Sequence, residues 1–290
     1  MNWISSSEVL IVGLGLIGGS YARALSRLGY RVSALDRDEE AIAYALKRGW
    51  IARGGTVPDR ASVGAADAVI FALYPSALAA WVREYGHLIK RGALITDVTG
   101  VKAGLAEEVQ SILGDRAEFI AAHPMAGREV SGVRNADDGI FRNANYIVVP
   151  TERNTPAAIE WCKTLGRLLG FRTVTVLSPK AHDEMIGFVS QLTHCIAVAL
   201  MTCSDNERLA ACTGDSFREL TRIARINETM WCELFLQNRD ELLRWIDRFT
   251  EELASIRSML AERDENGLRE KMRLSTERRA KFDREGGTAE

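Results

Sequence analysis

The apolar run Val9-Leu10-Ile11-Val12 passes straight into Gly13-Leu14-Gly15-Leu16-Ile17-Gly18, where a helical pattern opens. Each glycine of this GxGxxG spacing has a mechanical reason. The first permits a tight turn, the second lets the backbone approach a pyrophosphate, and the third allows a helix to pack closely on a strand. The free N–H groups and positive dipole end of that helix then face phosphate oxygens. Alone, the spacing is a weak signal. Placed after a strand and at the head of an alternating domain, it is a strong one. It makes Gly13, Gly15, Leu16, Ile17 and Gly18 candidate cofactor-binding residues.

The alternation continues through the first 178 residues. Apolar, β-rich runs at 8–12, 31–35, 67–73, 93–98, 118–122, 146–150 and 173–177 are separated by helix-period segments at 17–28, 39–48, 76–89, 105–113 and 155–169. Gly29, Gly49, Gly114 and Gly170 follow four of these helices, where a left-handed residue would end each one. This order predicts parallel strands with crossover helices, a doubly wound α/β sheet of the Rossmann type, with the later strands free to run antiparallel at an edge. After Pro179 the texture becomes helical. Residues 181–203 read as one long helix buried on several sides, followed by helices at 216–224, 228–238 and 241–262. Residues 262–290 carry eight acidic and eight basic side chains and read as a solvated helix fraying into a tail. The expected domains are therefore 1–178, α/β and nucleotide-binding, and 179–290, all-helical.

Composition narrows the function. Among 290 residues, 37 Lys and Arg face 39 Asp and Glu, a net charge of −2 that offers no field for gripping a phosphate backbone. No nucleic acid is expected. Apolar runs such as 67–73 fall far short of the roughly 20 residues a membrane helix needs, and residues 1–7 lack a signal core. No membrane is expected either. Five cysteines without CxxC spacing fit buried thiols in a reducing cytoplasm, with no disulfide or metal framework.

In open α/β sheets, ligands bind beyond the carboxyl ends of the strands. The second strand ends at Asp36, whose carboxylate can take ribose hydroxyls and repel the extra phosphate of NADP, so NAD is favoured. Two features pull the other way. Asp36 or Asp38 could simply cap the next helix, and Arg37 could tolerate a 2′-phosphate. On the same rim lie Thr99-Gly100-Val101-Lys102 and His123-Pro124-Met125-Ala126-Gly127-Arg128-Glu129. A neutral His123 could take a proton from a substrate hydroxyl, or could be a buried histidine bonded to a carbonyl. His194 sits mid-helix among apolar neighbours, while His87 and His182 read as surface or helix-end residues. Arg218 and Arg222, one helical turn apart, could form a fork for a carboxylate or pair with nearby acids. Trp231 reads as core or as a ligand wall.

Together these segments resemble the prephenate dehydrogenase family, the prephenate/arogenate dehydrogenases. GLGLIGGS at 13–20, TDVTGVK at 96–102, HPMAG at 123–127, SQLTH at 190–194, and LTRIA followed by Met230-Trp231 stand in the family's order. The resemblance spans residues 9 to about 235. It implies NAD(P)-dependent oxidative decarboxylation of prephenate, with arogenate as the alternative substrate, on the way to tyrosine, in an enzyme that dimerises through its helical domain. By the same resemblance His123 is the base that accepts the hydroxyl proton. Arg222 holds a substrate carboxylate, and His194 and Trp231 line the pocket. Gln191, Thr99 and Gly100 complete the substrate contacts.

Three positions depart from the family pattern. Many members carry serine where Gly100 stands, histidine where Gln191 stands and proline where Thr193 stands. Gly100 removes a hydrogen-bond partner of His123, for which Thr99 or a water could substitute. Gln191 can donate and accept, and so could still reach a polar substrate group. With seven residues before the first strand, no fused mutase domain is expected in front, and no regulatory domain behind. Two other readings compete. A β-hydroxyacid dehydrogenase shares the layout but relies on a lysine in the long helix, and 181–203 has none, Lys180 preceding it. A non-catalytic NAD sensor would need neither His123 nor Arg222.

Overall fold

The structure, a computed structural model, describes residues 7–282. Six strands form a wholly parallel sheet: β1 (Glu8–Val12), β2 (Arg31–Leu35), β3 (Arg53–Gly55), β4 (Ala68–Phe71), β5 (Leu94–Asp97) and β6 (Glu118–Phe119), in the order β3-β2-β1-β4-β5-β6. The helices between them are α1 (Leu16–Arg27), α2 (Glu39–Lys47), the short α3 (Arg60–Val63), α4 (Pro75–Tyr85) and α5 (Leu105–Leu113). Side chains of successive strand residues point to opposite faces. Val9 and Ile11 accordingly join one apolar layer, with Tyr21 and Leu25 of α1, while Leu10 and Val12 join the other, with Leu78 and Val82 of α4. Burial on both faces explains why these strands read as unbroken apolar runs. The strand order reverses direction between β1 and β4, which places the open crevice beside the glycine loop.

The run at 118–122, expected as one strand, changes partners partway. β6 pairs with β5, whereas β7 (Ala121–Pro124) pairs antiparallel with β8 (Asn145–Val149), which pairs parallel with β9 (Thr173–Val176). The switch occurs where the Asp97 carboxylate replaces a strand partner, its Oδ1 accepting from Ala122 N at 3.0 Å. α6 (Pro156–Leu168) lies between β8 and β9, its Thr155 cap accepting from Ala158 N. Gly29, Gly49, Gly114 and Gly170 all take positive φ, as expected of helix-ending residues. Strand β3 was not legible. Its two glycines hide the pattern, yet a Cβ at Gly54 would stand 2.8 Å from Ile42 of α2.

From Pro179 onward the described residues are helical. The expected long helix is continuous but not uniform: α7 (Pro179–Ile186) passes through a π-helical turn (Gly187–Leu192) into α8 (Thr193–Thr202). It is less buried than its sequence suggests, with Met185, Phe188, Val189 and Met201 all 44–49% exposed. By length and composition Pro179–Thr202 is also long and apolar enough to cross a membrane, contrary to the expectation that no such run exists. The short-run reading failed because polar residues interrupt the stretch. His182, Asp183 and Gln191 are buried in contacts within the protein. α9 (Leu209–Cys212), α10 (Asp215–Thr221) and α11 (Glu228–Gln237) follow. Of the cysteines only Cys162 is buried. Cys203, Cys212 and Cys232 are exposed, because their helices lie at the surface, and the expectation of buried thiols fails for them.

By contacts the chain divides into Met1–Arg239 and Asp240–Glu290. The second unit holds most of α12 (Arg239–Glu262) and α13 (Glu265–Ala280). Arg263, with φ 56°, turns the chain between them, and Asp264 caps α13 by accepting from Gly267 N. Lys271 of α13 meets Glu252 of α12 at 2.7 Å, which holds the two helices side by side. The end of the expected charged tail, including Gly286-Gly287, lies outside the described residues.

Candidate active site

At the glycine loop, Gly13 takes φ +98°, and a Cβ there would lie 2.4 Å from Ala72 O. One at Gly18 would lie 1.9 Å from Gly13 O. Both glycines are required by the fold itself. Gly15 is different, since a Cβ there would meet nothing within 4 Å. It is also the N-cap of α1, which has no side-chain cap and no acidic residue in its first turn. The N–H groups opening α1 at Leu16 and Ile17 are therefore left to a ligand, and the residues fit an anion approaching over Gly15. Asp36 reaches back over this loop, one carboxylate oxygen accepting from Leu14 N and the other from Asp38 N at 2.9 Å. Asp38, not Asp36, caps α2, accepting from Glu40 N. The carboxylate of Asp36 thus lies over the glycine loop, with Arg37 exposed beside it.

Beyond the end of β5 lies a buried ion pair. Lys102 Nζ donates to Asp97 Oδ2 at 2.6 Å, Thr99 Oγ1 at 2.9 Å and Ala122 O at 2.6 Å, so its three protons all have acceptors. Burial pulls the Lys102 ammonium below its ordinary range, while the Asp97 charge opposes that shift. Asp97 and Lys102 together hold both the N–H and the C=O of Ala122, the residue before His123. Thr99 is consumed here as well. Its hydroxyl lies against Asp97, Val101 O and Lys102, and it cannot serve as the partner of His123.

The partner of His123 is a residue the sequence reading put at the surface or at a helix end, and only the second holds. His182 is fully buried, and its Nε2 stands 3.0 Å from His123 Nδ1. Its other nitrogen, Nδ1, lies 2.6 Å from Asp183 Oδ1. Asp183 in turn accepts from the backbone N–H groups of Lys102 at 3.0 Å and Ala103 at 2.7 Å. The correction has a simple cause. α7 presents its first turn, capped by Ser178, to the loop after β5, so a helix-end residue points inward. Burial first, then the neighbouring His182 ring and the Lys102 ammonium, push His123 well below the usual imidazole range.

Gly100 stands next to this ring. A Cβ built on it would be 3.3 Å from Leu234 Cδ2 and 4.0 Å from His123 Cε1, so Leu234 of α11 occupies the space over the loop. One turn earlier on α11, Trp231 stacks on His194 of α8, with centroids 3.6 Å apart and an interplanar angle of 29°. Both are part-buried. His194 Nδ1 bonds Ser190 O at 2.8 Å, and its pKa is lowered, mainly by burial. Arg222 pairs with Glu129 of the loop after β7, its side chain 63% exposed. Of the two readings left open for Arg218 and Arg222, a shared fork or pairing with acids, the structure shows pairing. α10 ends at Thr221, Arg222 begins a tighter turn, and Arg218 pairs instead with Asp215. Gln191 is 1% exposed, donating to Leu234 O and accepting from Asn238 Nδ2. Its amide ties the π-helical turn to α11, which takes it out of the set facing a substrate.

The sequence reading thus missed His182, Asp183, Lys102, Asp97 and Glu129. The signals were present in part. Asp97 and Lys102 lie inside the TDVTGVK segment, and His182-Asp183 follows the Ser178-Pro179 helix start. Nothing in spacing alone tells that these segments meet.

Comparison with known proteins places the architecture. The nucleotide-binding domain model of prephenate dehydrogenase matches residues 21–175, beginning after the glycine loop, and its dimerization domain model matches residues 178–274. The prephenate dehydrogenase of Bacillus subtilis is 33% identical over 90% of this chain and 72% of its own length. That of Lactococcus lactis subsp. cremoris is 31% identical over 90% of this chain and 73% of its own. The solved structure of the Aquifex aeolicus prephenate dehydrogenase, in complex with hydroxyphenyl propionate and NAD+, superposes with a TM-score of 0.88. It is 29% identical, and the match covers 97% of this chain and 99% of that one.

Proposed function

This chain belongs to the prephenate dehydrogenase family, and on that premise we propose that it oxidatively decarboxylates prephenate to 4-hydroxyphenylpyruvate, with NAD as acceptor, in tyrosine biosynthesis. Prephenate carries a hydroxyl and a hydrogen on one ring carbon and a carboxylate on the opposite one. Bound NAD supplies the acceptor for that hydrogen as hydride. His123 Nε2, whose ring is held through Nδ1, takes the hydroxyl proton as the carbon–oxygen double bond forms. Carbon dioxide then leaves from the opposite carbon, its bonding electron pair makes the ring aromatic, and the oxygen recovers a proton. Aromatisation makes the sequence effectively irreversible, so the protein's task is alignment.

We assign the supporting roles as follows. The N–H groups at Gly15, Leu16 and Ile17 hold the pyrophosphate, with Gly13 and Gly18 shaping the loop, and Asp36 takes the ribose hydroxyls in preference to a 2′-phosphate. Arg222 meets a substrate carboxylate, exchanging Glu129 for it, and the stacked His194 and Trp231 form one wall. Residues 1–178 bind the nucleotide, and 179–290 bind substrate and dimerise, a division supported by where the two family models meet. The exposed apolar residues of α7 and α8 suit a second copy of the chain. The family's biosynthetic role supports a place in the cytoplasm.

The observation that carries this reading is His123 held at Nδ1 beside the loop of Gly100, at the mouth of the nucleotide-binding sheet. Incubation with NAD and prephenate should generate NADH and 4-hydroxyphenylpyruvate together. NADH formation with arogenate but not with prephenate would overturn the substrate assignment, and none with either would overturn the reaction.

A further inference from the structure

We propose that His182 and Asp183 are positioning residues that lock His123 in the tautomer carrying its proton on Nδ1, which leaves Nε2 as the basic atom. This rests on the reading of His123 as the base. The argument starts from groups whose roles cannot be exchanged. The backbone N–H groups of Lys102 and Ala103 can only donate, so the Asp183 carboxylate accepts from both. With its oxygens so engaged, Asp183 Oδ1 receives the proton of His182 Nδ1 across 2.6 Å. A neutral His182 then has only a lone pair at Nε2. The 3.0 Å contact with His123 must therefore be a donation from His123 Nδ1. Its Nε2 is left unprotonated.

Two further observations support the neutral state of His182. The residue is fully buried, and that burial depresses its pKa in spite of Asp183. Lys102, held by Asp97 on the same loop, adds a second positive charge that disfavours an imidazolium there. The order of groups is that of a base oriented by a third residue, here with a second imidazole between the base and the carboxylate. When His123 takes the substrate proton, the Nδ1–H bond to His182 persists and the new charge faces Asp183 through it.

The test uses the full-length enzyme. Long-range 15N–1H correlation of the His123 ring in the wild-type protein should show the proton on Nδ1. His182→Leu should lower kcat by about 10²-fold, with KM for prephenate and Kd for NAD changed less than about twofold, and should return an Nε2–H signal. His182→Gln, whose Oε1 can accept from His123, should recover kcat to within about tenfold of wild type. An Nε2–H tautomer in the wild type overturns the proposal, and so does a folded His182→Leu enzyme with unchanged kcat. If that variant does not fold, the wild-type tautomer alone decides. Loss of the base assignment itself would look different, because His123→Asn would then turn over normally whatever the tautomer.

Discussion

Lys102 Nζ and Asp97 Oδ2 stand 2.6 Å apart with neither side chain reaching solvent, and between them they grip both backbone polar groups of Ala122. The residue that follows is His123, so this ion pair anchors the strand end that carries the proposed base. Breaking one side of a buried pair leaves an uncompensated charge, at a cost of about 3–5 kcal/mol. Lys102→Met should therefore lower the free energy of unfolding, read from a urea titration, by an amount of that order, with the midpoint falling accordingly. A midpoint within experimental scatter of wild type would mean that Asp97 finds another partner.

His123→Asn should reduce kcat by about 10²-fold or more and leave the affinity for NAD nearly unchanged. The asymmetry is expected because the proposed role sets the ring against the reacting hydroxyl and gives it no part in the glycine loop. Single-turnover kinetics with fluorescence titration of NADH separate the two quantities. Turnover close to wild type removes His123 from the chemistry.

Arg222→Gln should raise KM for prephenate by about tenfold or more, the worth of a charge-assisted hydrogen bond, with a smaller effect on kcat. Glu129 already pairs with this guanidinium, so the free enzyme holds it ready near the mouth of the site. An unchanged KM would assign the carboxylate to another residue.

The two outer glycines of the loop and the middle one should respond in opposite ways. Gly15→Ala adds a methyl group where nothing lies within 4 Å, so thermal stability should hold while KM for NAD rises by about tenfold. Gly18→Ala drives a Cβ against Gly13 O and should destabilise by about 1–3 kcal/mol. Equal loss of stability in both would show that the space over Gly15 is structural.

Stability should fall on mild acidification. His123 is depressed well below 6.5, by burial and then by the neighbouring His182 ring and Lys102 ammonium, and His182 is depressed mainly by burial. In the unfolded chain both take up protons near 6.5, so their contribution is complete above that pH and declines as the pH falls toward the folded-state values. The slope is about 1.4 kcal/mol per pH unit for each imidazole. Denaturation at pH 7.5 and pH 5.5 checks the sign, and the acid limb of kcat/KM should likewise lie below 6.5. Greater resistance to urea at the lower pH would contradict the buried neutral histidines.

Much of this was legible without coordinates. The apolar strands β1 and β2 and the glycine turn between β1 and α1 follow from short-range sterics and burial, and their boundaries match the pattern closely. Where the reading slipped, a distant group had intervened. Residues 118–122 split because the carboxylate of Asp97 takes a strand partner's place. His182 read as a surface or helix-end residue because only the packing of α7 on the loop after β5 turns that helix end inward. Gln191 looked available to a substrate until Asn238 and Leu234 claimed its amide.

Local interactions span a few residues, and so periodicity, caps and turn glycines are written in the order of the amino acids. They settled the α/β architecture and marked the cradle for a nucleotide, while His123 as the proposed base came from the family resemblance of its segment. Which nitrogen of that base is free depends on His182, 59 positions away, and on Asp183 bonded to the amides of Lys102 and Ala103, 81 and 80 positions away. Contacts at such separations form only when whole elements dock, and for that reason the tertiary structure alone decided them.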